Sequence, residues 1–190
     1  MKQLIITRQE AGQRLDKLLG KYLNKAPKSF LYKMLRKKNI TLNGRKAAGN
    51  EQLQEGDEVK LFFSEDTFAK FSQVKIQKTD AKLDVIYEDA HVLLMNKPCG
   101  ILSQKSKDTD ISMVEHLISY LLAEGAVTEE SLRTFRPSVV NRLDRNTSGI
   151  LAAGKDLAGA QMLSGLFRHR SLHKYYFCLV KGVLKEKKRI

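Results

Sequence analysis

Arg142 and Asp144 place a guanidinium and a carboxylate two residues apart, within Val140-Asn141-Arg142-Leu143-Asp144-Arg145-Asn146-Thr147-Ser148-Gly149-Ile150. An extended backbone would point both side chains to one side. A neighbouring positive charge keeps a carboxylate ionised, which suits a nucleophilic or electrostatic role better than proton donation. Turn-forming residues and Gly149 follow, then the apolar run Ile150 to Ala153, so the stretch reads as strand, tight turn, strand. Gly149 admits a conformation closed to other residues. The same tripeptide at Arg14-Leu15-Asp16 lies in a helical pattern with no Thr-Ser-Gly behind it. Asp16 there supports a helix start through the macrodipole.

Other reactive residue types offer less. His169 and His173 are four apart, as metal ligands sometimes are, but Arg168, Arg170 and Lys174 crowd them and no cysteine or carboxylate is near in sequence. No metal is expected. Cys99 and Cys178 lie far apart in apolar runs, which argues against a disulfide framework or zinc site and fits a reducing cytosol. Tyr176 lies in His173 to Val180, whose aromatic and branched residues are apolar on both faces. That pattern predicts a strand central in a sheet.

The elements that must position these residues divide in two. Residues 1–75 open with a short strand within Met1 to Gln9. Leu15, Leu18, Leu19, Tyr22 and Leu23 predict a helix. After Pro27 a second helix buries Phe30, Leu31, Met34 and Leu35, with Asn39 as its stop. Ile40 to Leu42 reads as a strand ending in the hairpin turn Asn43-Gly44. Glu55-Gly56-Asp57 is a turn before a strand through Val59, Leu61 and Phe63. Residues 64–80 lack periodicity and read as a linker.

Residues 76–190 begin with two strands, Leu83 to Tyr87 and His91 to Asn96, then the turn Lys97-Pro98-Cys99-Gly100. Ser112 to Leu122 is a helix with a Ser112/Glu115 capping box. Gly125 to Pro137 is loop with a short helix. Asp156 caps a helix running to about Phe167.

Two resemblances rest on these residues. Asn141-Arg142-Leu143-Asp144 with Thr147-Ser148-Gly149, preceded by Lys97-Pro98-Cys99-Gly100 and followed by Lys174, Tyr176, Val180 and Gly182 at family spacing, resembles the RluA-type pseudouridine synthases. Asn141 stands where histidine is more usual, and Cys178 where alanine is. The resemblance implies Asp144 as catalytic nucleophile, Arg142 holding a flipped-out nucleotide, and Tyr176 stacking on the target uracil. The family continues beyond the stretch matched here, so the resemblance implies a catalytic domain incomplete at its C-terminal side, with Lys185 to Ile190 the first arm of an unfinished hairpin.

Arg14 to Phe63 resembles the small-subunit ribosomal protein four (S-four-like) RNA-binding domain. By position it implies RNA contacts from Lys28, Lys33, Arg36, Lys37, Lys38 and Arg45.

The expected fold is therefore α+β: a small S-four-like domain over 1–75, then over 76–190 a mixed, mostly antiparallel sheet with flanking helices. The implied activity is isomerisation of RNA uridines, most naturally in ribosomal RNA, to pseudouridine. That reaction is redox-neutral with no net hydrolysis, so no cofactor is expected. A non-catalytic RNA-binding module is the alternative, above all for this short chain.

Lys and Arg outnumber Asp and Glu by 34 to 21 in 190 residues, a net charge of +13 that favours a polyanionic partner. The apolar runs are too short to span a bilayer. Met1 to Thr7 holds too small an apolar patch for a signal peptide, and a cytoplasmic location is expected. Oligomeric state and target nucleotide are not legible.

Overall fold

A computed structural model describes residues 1–73, 76–80 and 82–183. Two antiparallel four-stranded sheets, each with its own apolar core, make a mixed α+β architecture.

The first sheet has the order β1-β4-β2-β3, from β1 (Lys2–Ile5), β2 (Ile40–Leu42), β3 (Arg45–Lys46) and β4 (Glu58–Leu61). Its hairpin turn has Asn43 at φ 50 and Gly44 at φ 73, the paired left-handed residues that a two-residue hairpin needs. The Asn43 side chain ties this turn to the next: its Nδ2 donates to Asp57 Oδ1 at 2.8 Å and its Oδ1 accepts from Glu58 N at 2.8 Å.

Helices α1 (Leu15–Tyr22) and α2 (Lys28–Arg36) follow the predicted periodicity. They bury Leu15, Leu18, Leu19, Leu31 and Leu35 against Ile40, Val59 and Leu61. The residue that turns the chain out of α2 is Lys38, at φ 58, rather than Asn39.

Residues 64–80 are not a plain linker. Ser64 accepts from Thr67 N and caps α3 (Glu65–Phe71), whose first turn carries Glu65 and Asp66, the charge that favours a helix N-terminus. Phe68 stacks against Phe63 at 5.5 Å and Phe71 against Phe30 at 4.7 Å, so α3 belongs to the first core. At seven residues the helix is too short for a period to stand out.

The second sheet has the order β5-β6-β8-β7, from β5 (Val85–Glu88), β6 (Val92–Lys97), β7 (Ser138–Val139) and β8 (Gly149–Gly154). Alternation of side chains divides its faces. Leu93, Met95, Leu151 and Ala153 meet α4 (Met113–Ala123). Val92, Leu94 and Ala152 meet α6 (Leu157–Arg168) through Leu163 and Phe167.

Both predicted caps are present: the Ser112/Glu115 box, and Asp156 accepting from Gly159 N at 2.7 Å. Helix α6 lies directly on backbone, since a Cβ on Gly159 would run into the His91 carbonyl.

The two units meet at a short helix, α5 (Ser131–Thr134). Thr134 Oγ1 donates to Glu10 Oε1 at 2.6 Å, Tyr22 OH to Glu130 Oε1 at 3.1 Å, and Arg133 Nη1 to Ser72 Oγ at 2.7 Å.

The strand predicted over His173 to Val180 is absent. These residues carry no regular structure, and Tyr175, Phe177 and Leu179 are 88%, 103% and 99% exposed. A strand apolar on both faces needs a neighbour on each edge and a layer on each face, and none of the described strands pairs with it. Lys185 to Ile190, expected as a hairpin arm, lies outside the described residues.

Candidate functional site

Asp144 sits on a loop between β7 and β8, and the chain leaves the sheet before reaching it. Val140 N still donates to Ala152 O at 2.8 Å. The next rung is made by a side chain: Asn141 Nδ2 donates to Ile150 O at 3.0 Å and its Oδ1 accepts from Ala152 N at 2.8 Å. With the amide of Asn141 satisfying β8, the backbone is free to turn away.

The predicted same-side display of Arg142 and Asp144 on extended strand is therefore corrected. Both are exposed on irregular backbone, and among the described residues no ion pair joins them.

The peptides on either side of Asp144 are held from below. Ser103, only 3% exposed, donates its hydroxyl to Leu143 O at 2.7 Å and accepts from Leu143 N at 3.0 Å. One side chain thus fixes both polar groups of the preceding residue. On the other side, Arg145 O accepts from Gly100 N at 2.8 Å and from Lys97 Nζ at 2.9 Å. Cys99 Sγ reaches Asn146 O at 3.2 Å. Within the loop, Thr147 N donates to Asp144 O at 3.0 Å. Gly149, paired with Lys97 across the sheet, has φ 137, where a side chain would be strained.

Lys97 is fully buried, and its Nζ donates to the Pro98 and Arg145 carbonyls. Burial pushes its ammonium below the ordinary 10.5, while the nearby acidic groups Cys99 and Asp144 pull it back up. A buried lysine is thus the cation that the Asp144 loop is built over, in place of the expected Arg142. In the sequence Lys97 reads as the end of a strand, the start of a turn and the first residue of the Lys97-Pro98-Cys99-Gly100 motif. Nothing local signals that it is buried, and no local pattern marks Ser103.

Tyr176 is 67% exposed on the segment without regular structure. Among the described residues no hydrogen bond or ring contact links it to Asp144 or Arg142. The structure brings together the Lys97-Pro98-Cys99-Gly100 turn and the Asp144 loop, but not the third motif.

In the other unit, Lys28, Lys33, Arg36, Lys37, Lys38 and Arg45 are all exposed. Among the described residues none of the six enters an ion pair, so their charge is available to a polyanion. No group of three or more His, Cys, Asp or Glu side chains able to hold a metal ion occurs among the described residues. No helix among them is long and apolar enough to cross a membrane.

Residues 91–190, which include the Asp144 loop, match the sequence model of a family described as RNA pseudouridylate synthase. The chain is 33% identical over 190 residues to ribosomal large subunit pseudouridine synthase C of Escherichia coli K12, covering 96% of this chain and 55% of that protein. It is 33% identical over 181 residues to the Vibrio vulnificus protein of the same name, covering 90% of this chain and 53% of that one. The chain thus spans about half the length of the curated relatives it matches. Among solved structures, human RNA pseudouridylate synthase domain containing 4 aligns at 21% identity with a TM-score of 0.36, over 46% of this chain and 30% of that one.

Proposed function

From a chain that belongs to the RNA pseudouridylate synthase family, we propose an enzyme that isomerises uridines in RNA, ribosomal RNA foremost, to pseudouridine. The glycosidic bond to the ring nitrogen breaks and a bond to a ring carbon of the same uracil forms. Atoms and oxidation state are conserved, so the chemistry asks for no cofactor. Asp144 is the nucleophile, Arg142 holds the displaced nucleotide, and Tyr176 supplies the stacking face.

What carries the reading is the exposed Asp144 carboxylate on a loop whose neighbouring peptides are fixed by Ser103 and Lys97, inside the stretch that matches the family. Fixing a nucleophile's backbone beforehand lowers the cost of aiming it at the reacting atom. Extruding the base costs a few kcal/mol in a duplex, of which an aromatic platform returns about 1–3 kcal/mol.

Residues 1–75 act as an S-four-like grip on the RNA and residues 76–190 as the catalytic domain, in a cytoplasmic protein. The names of the relatives favour ribosomal RNA as the substrate. The six exposed cations on α2, β3 and the turn after α2 contact phosphates, which gives affinity with little sequence preference.

A second reading is favoured by one observation. The segment 173–180, which carries Tyr176, is exposed and has no sheet neighbour among the described residues. On that basis this polypeptide by itself binds RNA without turning it over.

Tritium release from RNA labelled at uridine carbon five decides between them. This chain, a longer polypeptide continuing beyond Ile190, and the longer Asp144→Ala variant are compared. Release by the longer protein that falls at least a thousandfold in Asp144→Ala establishes the synthase. Binding with no release by any form supports the module.

A further inference from the structure

The first unit carries a cleft of about 400 Å³ between α2 and the chain that follows β3. Leu35, Ala47 and Ala48 supply an apolar wall, and Tyr32, 42% exposed, supplies an aromatic one. Arg36 and Lys46 also line it, and both are exposed. A volume of this size falls in the range of small-molecule sites.

The ring of Tyr32 is held in place. Its hydroxyl donates to Asp16 Oδ2 at 3.0 Å, and Arg14 Nη2 donates to the same oxygen at 2.9 Å. The facing chain is fastened to the same Arg14-Leu15-Asp16 tripeptide: Asp16 N donates to Gly49 O at 2.7 Å and Leu15 N to Glu51 O at 2.9 Å. Gly49 is buried against Tyr32 and Leu35, where a Cβ would come within 3.3 and 3.1 Å of their side chains. A ring fixed in this way loses little freedom when something stacks on it.

Charge at the cleft is one-sided. Glu51 is the carboxylate in its wall, and backbone takes both of its oxygens: Ala48 N donates to Oε1 at 2.6 Å and Gly49 N to Oε2 at 2.7 Å. Asp16 is paired with Arg14. Among the described residues Arg36 and Lys46 have no ion pair and no side-chain hydrogen bond. An aromatic side chain and apolar walls beside two cations without carboxylate partners match an unpaired nucleotide, whose base has a π face and whose phosphates are anionic.

We propose that this cleft is a binding site for one unstacked nucleotide of single-stranded RNA, its base lying on Tyr32 and its phosphates meeting Arg36 and Lys46. The proposal rests on the RNA-binding reading of the first unit and gives it a preference. Charge on α2 would by itself hold any RNA, whereas the cleft selects a stretch with a base turned out. Since every base has a π face, the selection is for single-strandedness rather than for sequence. The Arg14-Leu15-Asp16 tripeptide, which has no part in the proposed chemistry, positions the stacking ring.

The test uses the full chain and three fluorescent probes of equal length: an oligouridylate, the same strand with abasic residues in place of its uridines, and a blunt RNA duplex. Each is titrated over a range of KCl. Tyr32→Ala removes the ring, while Tyr32→Phe keeps it and drops only the bond to Asp16. Ala48→Leu fills the cleft and leaves ring and cations in place, so it decides the matter if thermal melts show that Tyr32→Ala does not fold. Arg36→Gln/Lys46→Gln probes the phosphate contacts.

Tyr32→Ala and Ala48→Leu are expected to weaken binding of the oligouridylate about five- to a hundredfold, with the duplex, the abasic strand and the salt slope unchanged. Tyr32→Phe should keep most of the affinity. Arg36→Gln/Lys46→Gln should lower the slope of log K against log salt on the single strand by about 0.7 for each cation removed. Equal affinity of the wild type for oligouridylate and abasic strand, or an unchanged oligouridylate affinity in the folded cleft variants, would overturn the site and leave phosphate binding on α2 standing. Equal losses in Tyr32→Phe and Tyr32→Ala would overturn the stacking. A wild-type chain that binds none of the probes would instead sink the RNA-binding reading itself, and the cleft with it.

Discussion

Ser103 is the residue on which the loop geometry most depends. Its single hydroxyl both donates to and accepts from Leu143, so Ser103→Ala strands a backbone N–H and C=O next to Asp144. Unsatisfied backbone groups cost about 1–3 kcal/mol, and the loop will shift to recover water. In the longer protein kcat should fall about ten- to a hundredfold with KM little changed, since the loss is of aim rather than of RNA binding. Ser103→Thr, which keeps the hydroxyl, should restore most of the rate. Amide exchange at Leu143 should quicken in the alanine variant alone. Equal exchange and rates in all three proteins would remove Ser103 from the mechanism. The motif singles out Asp144 in the sequence, but not the buried Lys97 that holds the Arg145 carbonyl next to it, because Lys97 is far away along the chain.

Element α6 packs by backbone contact. A Cβ on Gly159 would meet the His91 carbonyl, whereas one on Gly165 would point into open space. Gly159→Ala should therefore destabilise by about 1–3 kcal/mol through overpacking. Gly165→Ala in the same helix should stabilise by up to about 1 kcal/mol, because alanine has less backbone entropy to lose. Urea unfolding of the two variants checks the contrast, and similar shifts for both would mean that α6 sits further from the sheet. Helices α1, α2, α4 and α6 were readable because their apolar positions recur over two turns or more, and α4 and α6 also carry local caps at Ser112 and Asp156. Helix α3 was missed because it is short. The expected strand over 173–180 failed for the opposite reason: its composition suits a sheet centre, but composition does not provide neighbours.

Across the molecule as a whole, the segment between the units is fastened to α4. Thr79 Oγ1 and His116 Nδ1 lie 2.8 Å apart, and Thr79 N donates to Ser119 Oγ at 2.9 Å. Burial lowers the His116 pKa below the ordinary 6.5, with Glu115 opposing. Between that lowered value and 6.5 the unfolded chain binds more protons than the folded one, so stability rises with pH there and is lost on acidification. Chemical denaturation from pH 7 to pH 5 should show this decline, and His116→Gln should flatten it. An unchanged slope in His116→Gln would assign the acid sensitivity to other groups.

Residue order alone was enough to read the family, the α+β class, the Ser112 and Asp156 caps and the hairpin turn at Asn43-Gly44. Each of these is written in residues adjacent or a fixed period apart. It took the folded chain to bury Lys97 against the Arg145 carbonyl and to set Ser103 on Leu143. Those facts join residues tens of positions apart, and such encounters are fixed by how sheets and helices close-pack rather than by any local pattern.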